Sequence, residues 1–241
     1  MDDAVVIIPT YNEAESIRQT LSGVRDAVPS AHVLVVDDAS PDGTADLVRS
    51  VAADRGGISV LRRDAKEGLG PAYAAGFQWG LGRGFDKLVE MDADGSHDPG
   101  CLPRLLARCD ESADLVIGSR YADGGSVEDW RWHRRALSRF GNLYASAMLG
   151  LGVRDATSGY RAYRASLLER IDLTDVQSSG YCFQIELTYR AARAGATIAE
   201  EPISFTDRAA GESKMAASIV GEAFWHVTRW GAGRFKAFLA P

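Results

Sequence analysis

Residues 4–13 read Ala-Val-Val-Ile-Ile-Pro-Thr-Tyr-Asn-Glu, and residues 33–43 read Val-Leu-Val-Val-Asp-Asp-Ala-Ser-Pro-Asp-Gly. In both stretches an uninterrupted aliphatic run stops abruptly at a cluster of polar, turn-forming residues. A strand with one wet face would alternate apolar and polar positions, so a continuous run suits a strand buried on both faces of a parallel sheet. The same signature recurs at residues 58–61, 87–91 and 114–117. Helix-like stretches at 13–27, 44–54, 71–82 and 99–108 separate these runs. That β-α-β-α order predicts a doubly wound α/β sheet, which takes its ligands beyond the carboxyl ends of its strands. Further on, residues 121–133 form a long loop, 134–151 and 180–194 read as helices, and 197–205 as a late strand. No repeat or linker divides the chain, which predicts one domain.

With 241 residues, 46% of them hydrophobic and 25% charged, the chain has the composition of a globular protein with a sizeable core. Its net charge of −6 argues against a duplex nucleic-acid binder. Cys101, Cys109 and Cys182 are odd in number and form no CxxC pair, so reduced, buried thiols are expected rather than disulfides or zinc. The chain passes from Met-Asp-Asp straight into an apolar strand, unlike a signal peptide. No segment approaches the roughly 18 apolar residues of a membrane span.

Four strand ends carry polar clusters: Pro9-Thr10-Tyr11-Asn12-Glu13, Asp37 to Gly43, Asp92-Ala93-Asp94-Gly95-Ser96-His97-Asp98-Pro99, and Gly118-Ser119-Arg120-Tyr121. Any one could be a helix cap or turn. Four on one edge of a sheet point to a binding site. Asp92 and Asp94, two residues apart at a strand end, suit a hard divalent cation, Mg2+ or Mn2+, whose shell phosphate oxygens would complete. The glycines of Gly68-Leu69-Gly70-Pro71-Ala72-Tyr73 follow the third strand and lack a third glycine, so they read as a turn into a helix, not a dinucleotide loop. A basic group, Arg120, Arg131, Arg134, Arg135 and Arg139 with later Arg208 and Lys214, stands out in an acidic chain and suits bound phosphates.

Together with Thr157-Ser158-Gly159-Tyr160-Arg161-Ala162-Tyr163-Arg164, these ordered stretches resemble the dolichol-phosphate (polyprenyl-phosphate) mannosyltransferases, which are inverting family 2 glycosyltransferases. The resemblance implies the GT-A (nucleotide-diphospho-sugar transferase) fold, a Rossmann-like, mostly parallel sheet with helices on both faces. It implies transfer of mannose from GDP-mannose to a polyprenyl phosphate with inversion. Pro9, Tyr11, Glu13 and Asp38 would hold the nucleoside, and Arg208 and Lys214 would close over the phosphates. Asp92 and Asp94 would hold the metal and diphosphate, with Ser96 standing where some members place a further metal ligand. Arg120, Arg134 and Ser138 would hold the acceptor phosphate, so that Asp92, Asp94 and Arg120 lie nearest the chemistry. The transferase domain would cover residues 1–215, followed by an amphipathic helical tail over 216–241. Members without membrane helices work peripherally, at the cytoplasmic face, by direct contact or through a separate integral membrane protein. A UDP-sugar donor and a non-catalytic nucleotide-sugar-binding module are the alternatives.

Overall fold

The computed structural model describes residues 3–171, 173, 176, 180–206 and 217–239. Five parallel strands follow the sequence pattern: β1 (Ala4–Thr10), β2 (His32–Asp37), β3 (Ile58–Arg62), β4 (Lys87–Glu90) and β5 (Leu115–Ser119). A ribbon strand β6 (Ser126–Val127), the antiparallel β7 (Arg161–Arg164), the parallel β8 (Ile198–Pro202) and the short β9 (Ser204–Phe205) complete the set. The main sheet has the order β3-β2-β1-β4-β7-β5-β8, with β7 antiparallel to both neighbours. Winding reverses between β1 and β4, the crevice where an α/β sheet binds its ligand.

Alternate residues of the continuous runs feed two cores. Val6, Ile8, Val33 and Val35 face one side, where α1 (Ile17–Ala27), α2 (Thr44–Arg55) and α4 (Leu102–Glu111) cover them. Val5, Ile7, Leu34 and Val36 face the other, under α3 (Leu69–Leu81), α5 (Trp132–Leu149), α6 (Ala165–Arg170) and α7 (Gly180–Arg193). Each fully buried Val or Ile contributes about 1.5–3 kcal/mol, which is why the runs tolerate no polar interruption. A Cβ on Gly76 of α3 would stand 2.4 Å from Ile7 Cγ2, so glycine sets how closely this helix approaches the sheet. The final helix, α8 (Ala217–Leu239), packs on α5 and α7 and buries Val227. No helix among the described residues is long and apolar enough to cross a membrane. All three cysteines are buried and free, as expected.

Three sequence expectations are corrected. The first helix begins at Ile17 rather than at residue 13, because Asn12 adopts a left-handed φ of 61° and the chain turns before the helix starts. The late strand expected over 197–205 is two strands: Ile203 still donates to Ser119 O of β5 but accepts from Ser126 N–H, and β9 then pairs with β6 inside the long loop. Residues 161–164, read only as part of a motif, form β7 in the middle of the sheet.

Candidate active site

A cleft of about 420 Å3 opens at the switch point. Of the residues singled out in the sequence, it brings together Pro9, Tyr11, Glu13, Asp38, Asp92, Asp94, Arg120 and Arg134. Local hydrogen bonds fix the loops that follow β1 and β2. Asn12 N–H donates to Ser40 Oγ at 3.0 Å and Glu13 N–H to Thr44 Oγ1 at 3.1 Å, tying the end of β1 to the start of α2. Asp38, nearly buried, pairs with Arg63 at 2.9 Å, and Lys66 lies 3.9 Å above the Tyr11 ring.

On the other wall, Tyr73 OH donates to Asp92 Oδ1 at 3.3 Å, and His97 Nδ1 accepts the Asp92 N–H at 3.1 Å. That bond assigns the proton of a neutral His97 to Nε2, which faces Asp92 Oδ2 at 4.0 Å. Ser96 does not line the cleft. It is buried, and its hydroxyl donates to Asp94 Oδ1 at 2.6 Å while its N–H donates to the same oxygen at 3.1 Å. Its short side chain is turned to the adjacent carboxylate, and both bonds hold Asp94 in place. Among the described residues no group of three His, Cys, Asp or Glu side chains converges on one point. Two cleft-lining carboxylates nevertheless fit a hard cation that takes its remaining oxygens from a diphosphate and water.

The wall around Arg120 rests on ion pairing. Arg120 Nε and Nη2 donate to Asp155 Oδ2 and Oδ1 at 2.7 and 2.6 Å, and Nη2 also donates to Thr157 Oγ1 at 2.7 Å. Burial pushes the Asp155 carboxyl up, but the Arg120 charge and hydrogen bonds outweigh it and leave the group below its ordinary range. Burial likewise opposes the Arg120 charge, and Asp155 more than restores it. The ring centroids of Tyr121, Trp130 and Phe205 each lie 5.5 Å from Arg120 Cζ. Arg134 Cζ stands 4.0 Å over the Trp130 ring. Ser138 lies outside the cleft, in an adjoining groove, where its Oγ accepts the Tyr121 hydroxyl at 2.8 Å. Arg208 and Lys214 fall outside the described residues.

This groove, about 160 Å3, is lined by Leu137, Phe140, Gly141, Tyr144, Ala145, Ile185, Phe224 and Val227 between α5, α7 and α8. Arg120, Trp130, Thr157 and Tyr181 line both spaces and so join them. Trp132, Phe140, Leu143, Phe224 and Trp225 are exposed along α5 and α8, Trp132 at 81%.

Several cleft residues carry no sequence signal of their own: Lys66, Trp130, Tyr181 and Gln184 line it, and Asp155 anchors Arg120 from behind. The motif at 157–164 was a partial pointer. Its Arg161, fully buried, donates to Ala156 O, Ser158 O and Gln184 O at 2.7, 2.6 and 2.8 Å, fastening the loop before β7 to α7. Glu90 pairs in register with Arg161; burial drives its carboxyl up to about 8, against the Arg161 charge and the adjacent Gln184 amide.

The model of the glycosyl transferase family 2 matches residues 5–172. An undecaprenyl-phosphate mannosyltransferase of Micrococcus luteus is 56% identical over 237 residues, 98% of this chain and 97% of that one. A polyprenol monophosphomannose synthase of Mycolicibacterium smegmatis is 54% identical over 228 residues, 94% of this chain and 86% of that one. In fold, the chain is similar to glucosyl-3-phosphoglycerate synthase of Mycobacterium tuberculosis, solved with Mn2+ and UDP-glucose: TM-score 0.68, 20% identity, 97% and 79% of the two chains covered. From the parallel sheet, the strand-end clusters and these relatives together, the chain belongs to glycosyl transferase family 2, in the branch that holds the polyprenyl-phosphate mannosyltransferases.

Proposed function

We propose that this enzyme transfers mannose from GDP-mannose to a polyprenyl phosphate with inversion at the anomeric carbon. One observation carries the reading. A polar cleft with paired carboxylates runs, through Arg120, Trp130, Thr157 and Tyr181, into a groove whose walls are almost wholly apolar. A substrate with an anionic head and a hydrocarbon tail fits that junction, and a sugar or a soluble phosphate does not need the groove.

In this reading Pro9, Tyr11, Glu13 and Asp38 bind the nucleoside, while Asp92 and Asp94 would hold Mg2+ or Mn2+ against the diphosphate. The cation, when bound, offsets charge on the departing GDP. Arg120 and Arg134 hold the acceptor phosphate in line with the anomeric carbon, and Ser138 supports them from the groove through Tyr121. A phosphate oxygen forms the new bond to the anomeric carbon as the bond to the diphosphate oxygen breaks. A phosphate monoester is already anionic near neutral pH, so positioning and charge compensation suffice and no strong base is required. Arg208 and Lys214 would close over the phosphates. The exposed aromatic face of α5 and α8 supports peripheral contact with the cytoplasmic face of a membrane, directly or through an integral partner.

The test is transfer of radiolabelled sugar from GDP-mannose, UDP-glucose and UDP-GlcNAc to polyprenyl phosphate, followed by lipid extraction, with Mn2+ and with EDTA. Label should enter the lipid phase from GDP-mannose and only with metal. Transfer from a UDP-sugar alone, or none at all, overturns the reading.

A further inference from the structure

Sugar selectivity has no motif, but the cleft contains a feature that fits the task. We propose that the hollow over Gly159, walled by Gln184, receives a hydroxyl of the donor hexose and thereby selects which hexose is transferred. The proposal rests on the transferase reading above and adds the residue that reads the sugar.

Gln184 lies on α7 at 2% exposure and lines the cleft. Its amide is engaged by the Glu90 carboxyl, and neither amide atom has any other partner among the described residues. One carboxyl uses only part of a primary amide's capacity, and buried donors and acceptors left without partners are rare in native proteins. An amide offers both donors and an acceptor, which is what a sugar hydroxyl, itself donor and acceptor, can satisfy.

The space is beside this amide. An atom placed where Gly159 lacks a side chain would be 3.8 Å from Gln184 Nε2, 3.8 Å from His97 Cε1 and 3.9 Å from Asp92 Oδ1. The hollow therefore adjoins the carboxylate assigned to the donor diphosphate, next to which the hexose must lie. Both of its walls are held by one side chain. Arg161 donates to Ser158 O on the loop side and, on the helix side, to Gln184 O at 2.8 Å and Thr188 Oγ1 at 2.9 Å. A wall fixed in this way discriminates between hydroxyl arrangements, because a mismatched sugar leaves the amide unpaired.

The test compares the wild type with Gln184→Ala and Gly159→Ala on GDP-mannose and GDP-glucose, its epimer at one carbon. Gly159 lies outside the left-handed φ region and its Cβ would meet only ordinary contacts, so Gly159→Ala should melt with the wild type. Both variants should lose about 10- to 100-fold in kcat/KM for GDP-mannose, and their preference over GDP-glucose should shrink at least about tenfold. Affinity for GDP alone should not change. Wild-type preference retained in both variants overturns the proposal. If the wild type transfers nothing to polyprenyl phosphate, the functional reading fails instead. Calorimetry then still decides the hollow: the gain in affinity of GDP-mannose over GDP should vanish in Gln184→Ala, and an unchanged gain overturns it.

Discussion

Asp155, wholly shielded from solvent, grips Arg120 three times: the guanidinium at 2.7 and 2.6 Å and the backbone N–H at 3.0 Å. Breaking a buried pair by removing one partner strands the other charge, at about 3–5 kcal/mol. Asp155→Asn should therefore lose about that much in urea unfolding. The sign of its pH dependence follows from a carboxyl held below its ordinary value of 3.8. Stability from the pair is fully present above that value and is lost as pH falls through the lower, folded-state value. The gap in melting temperature between wild type and Asp155→Asn should thus be constant at neutral pH and narrow in strong acid.

Asp94→Ala should abolish transfer at saturating Mn2+, and normal activity would remove the pair from the site. Ser96→Ala is the more discriminating change. Its hydroxyl orients Asp94 at 2.6 Å without lining the cleft. The Mn2+ concentration for half-maximal activity should rise about tenfold, with maximal rate largely kept, as for other residues that orient metal ligands. An unchanged Mn2+ titration would assign Ser96 to the turn alone.

Arg134→Ala should raise KM for the lipid phosphate while leaving KM for GDP-mannose in place. Arg134→Lys should behave almost as badly. The guanidinium stacks 4.0 Å over Trp130, a contact that an ammonium does not reproduce. Equal effects on both substrates would move Arg134 away from the acceptor.

Gly141 lines the apolar groove, and a Cβ there would meet nothing within 4 Å. Gly141→Leu fills that space while improving helix propensity by about 0.8–1 kcal/mol. The variant should melt at or above the wild-type temperature, yet use long-chain polyprenyl phosphate poorly. If acceptor use is unaffected, the hydrocarbon does not run through the groove.

The parallel sheet was legible because a strand buried on both faces must be continuously apolar, and Val5 to Ile8 and Val33 to Val36 leave no other reading. One wall of the cleft was legible for the complementary reason: Pro9, Tyr11, Asp38 and Asp92 sit where such runs stop. β7 was hidden, since only Ala162 and Tyr163 separate two arginines. A strand framed by charges looks like a surface turn. Arg161 and Arg164 are instead satisfied by carbonyl groups of the loop and helices around them, which no local pattern reveals. Gln184 and Asp155 were illegible for the same reason, because each acquires its role only from a partner far along the chain. For Ser96, spacing gives proximity to the carboxylates and says nothing of which way the hydroxyl turns, which is toward Asp94.

The reversed direction of β7 has one more effect. Because it runs against its neighbours, it presents its beginning, not its end, at the crevice, and Ser158 and Gly159 arrive there just before the strand. Of the cleft's lining, Pro9 to His97 come from the first hundred residues, and Arg120 to Phe205, with the whole wall of the apolar groove, from those after residue 118. On the proposed assignment, a recombination between relatives near residue 112, in the turn between α4 and β5, exchanges the contacts to sugar and acceptor while keeping the nucleoside contacts of Pro9, Tyr11, Glu13 and Asp38.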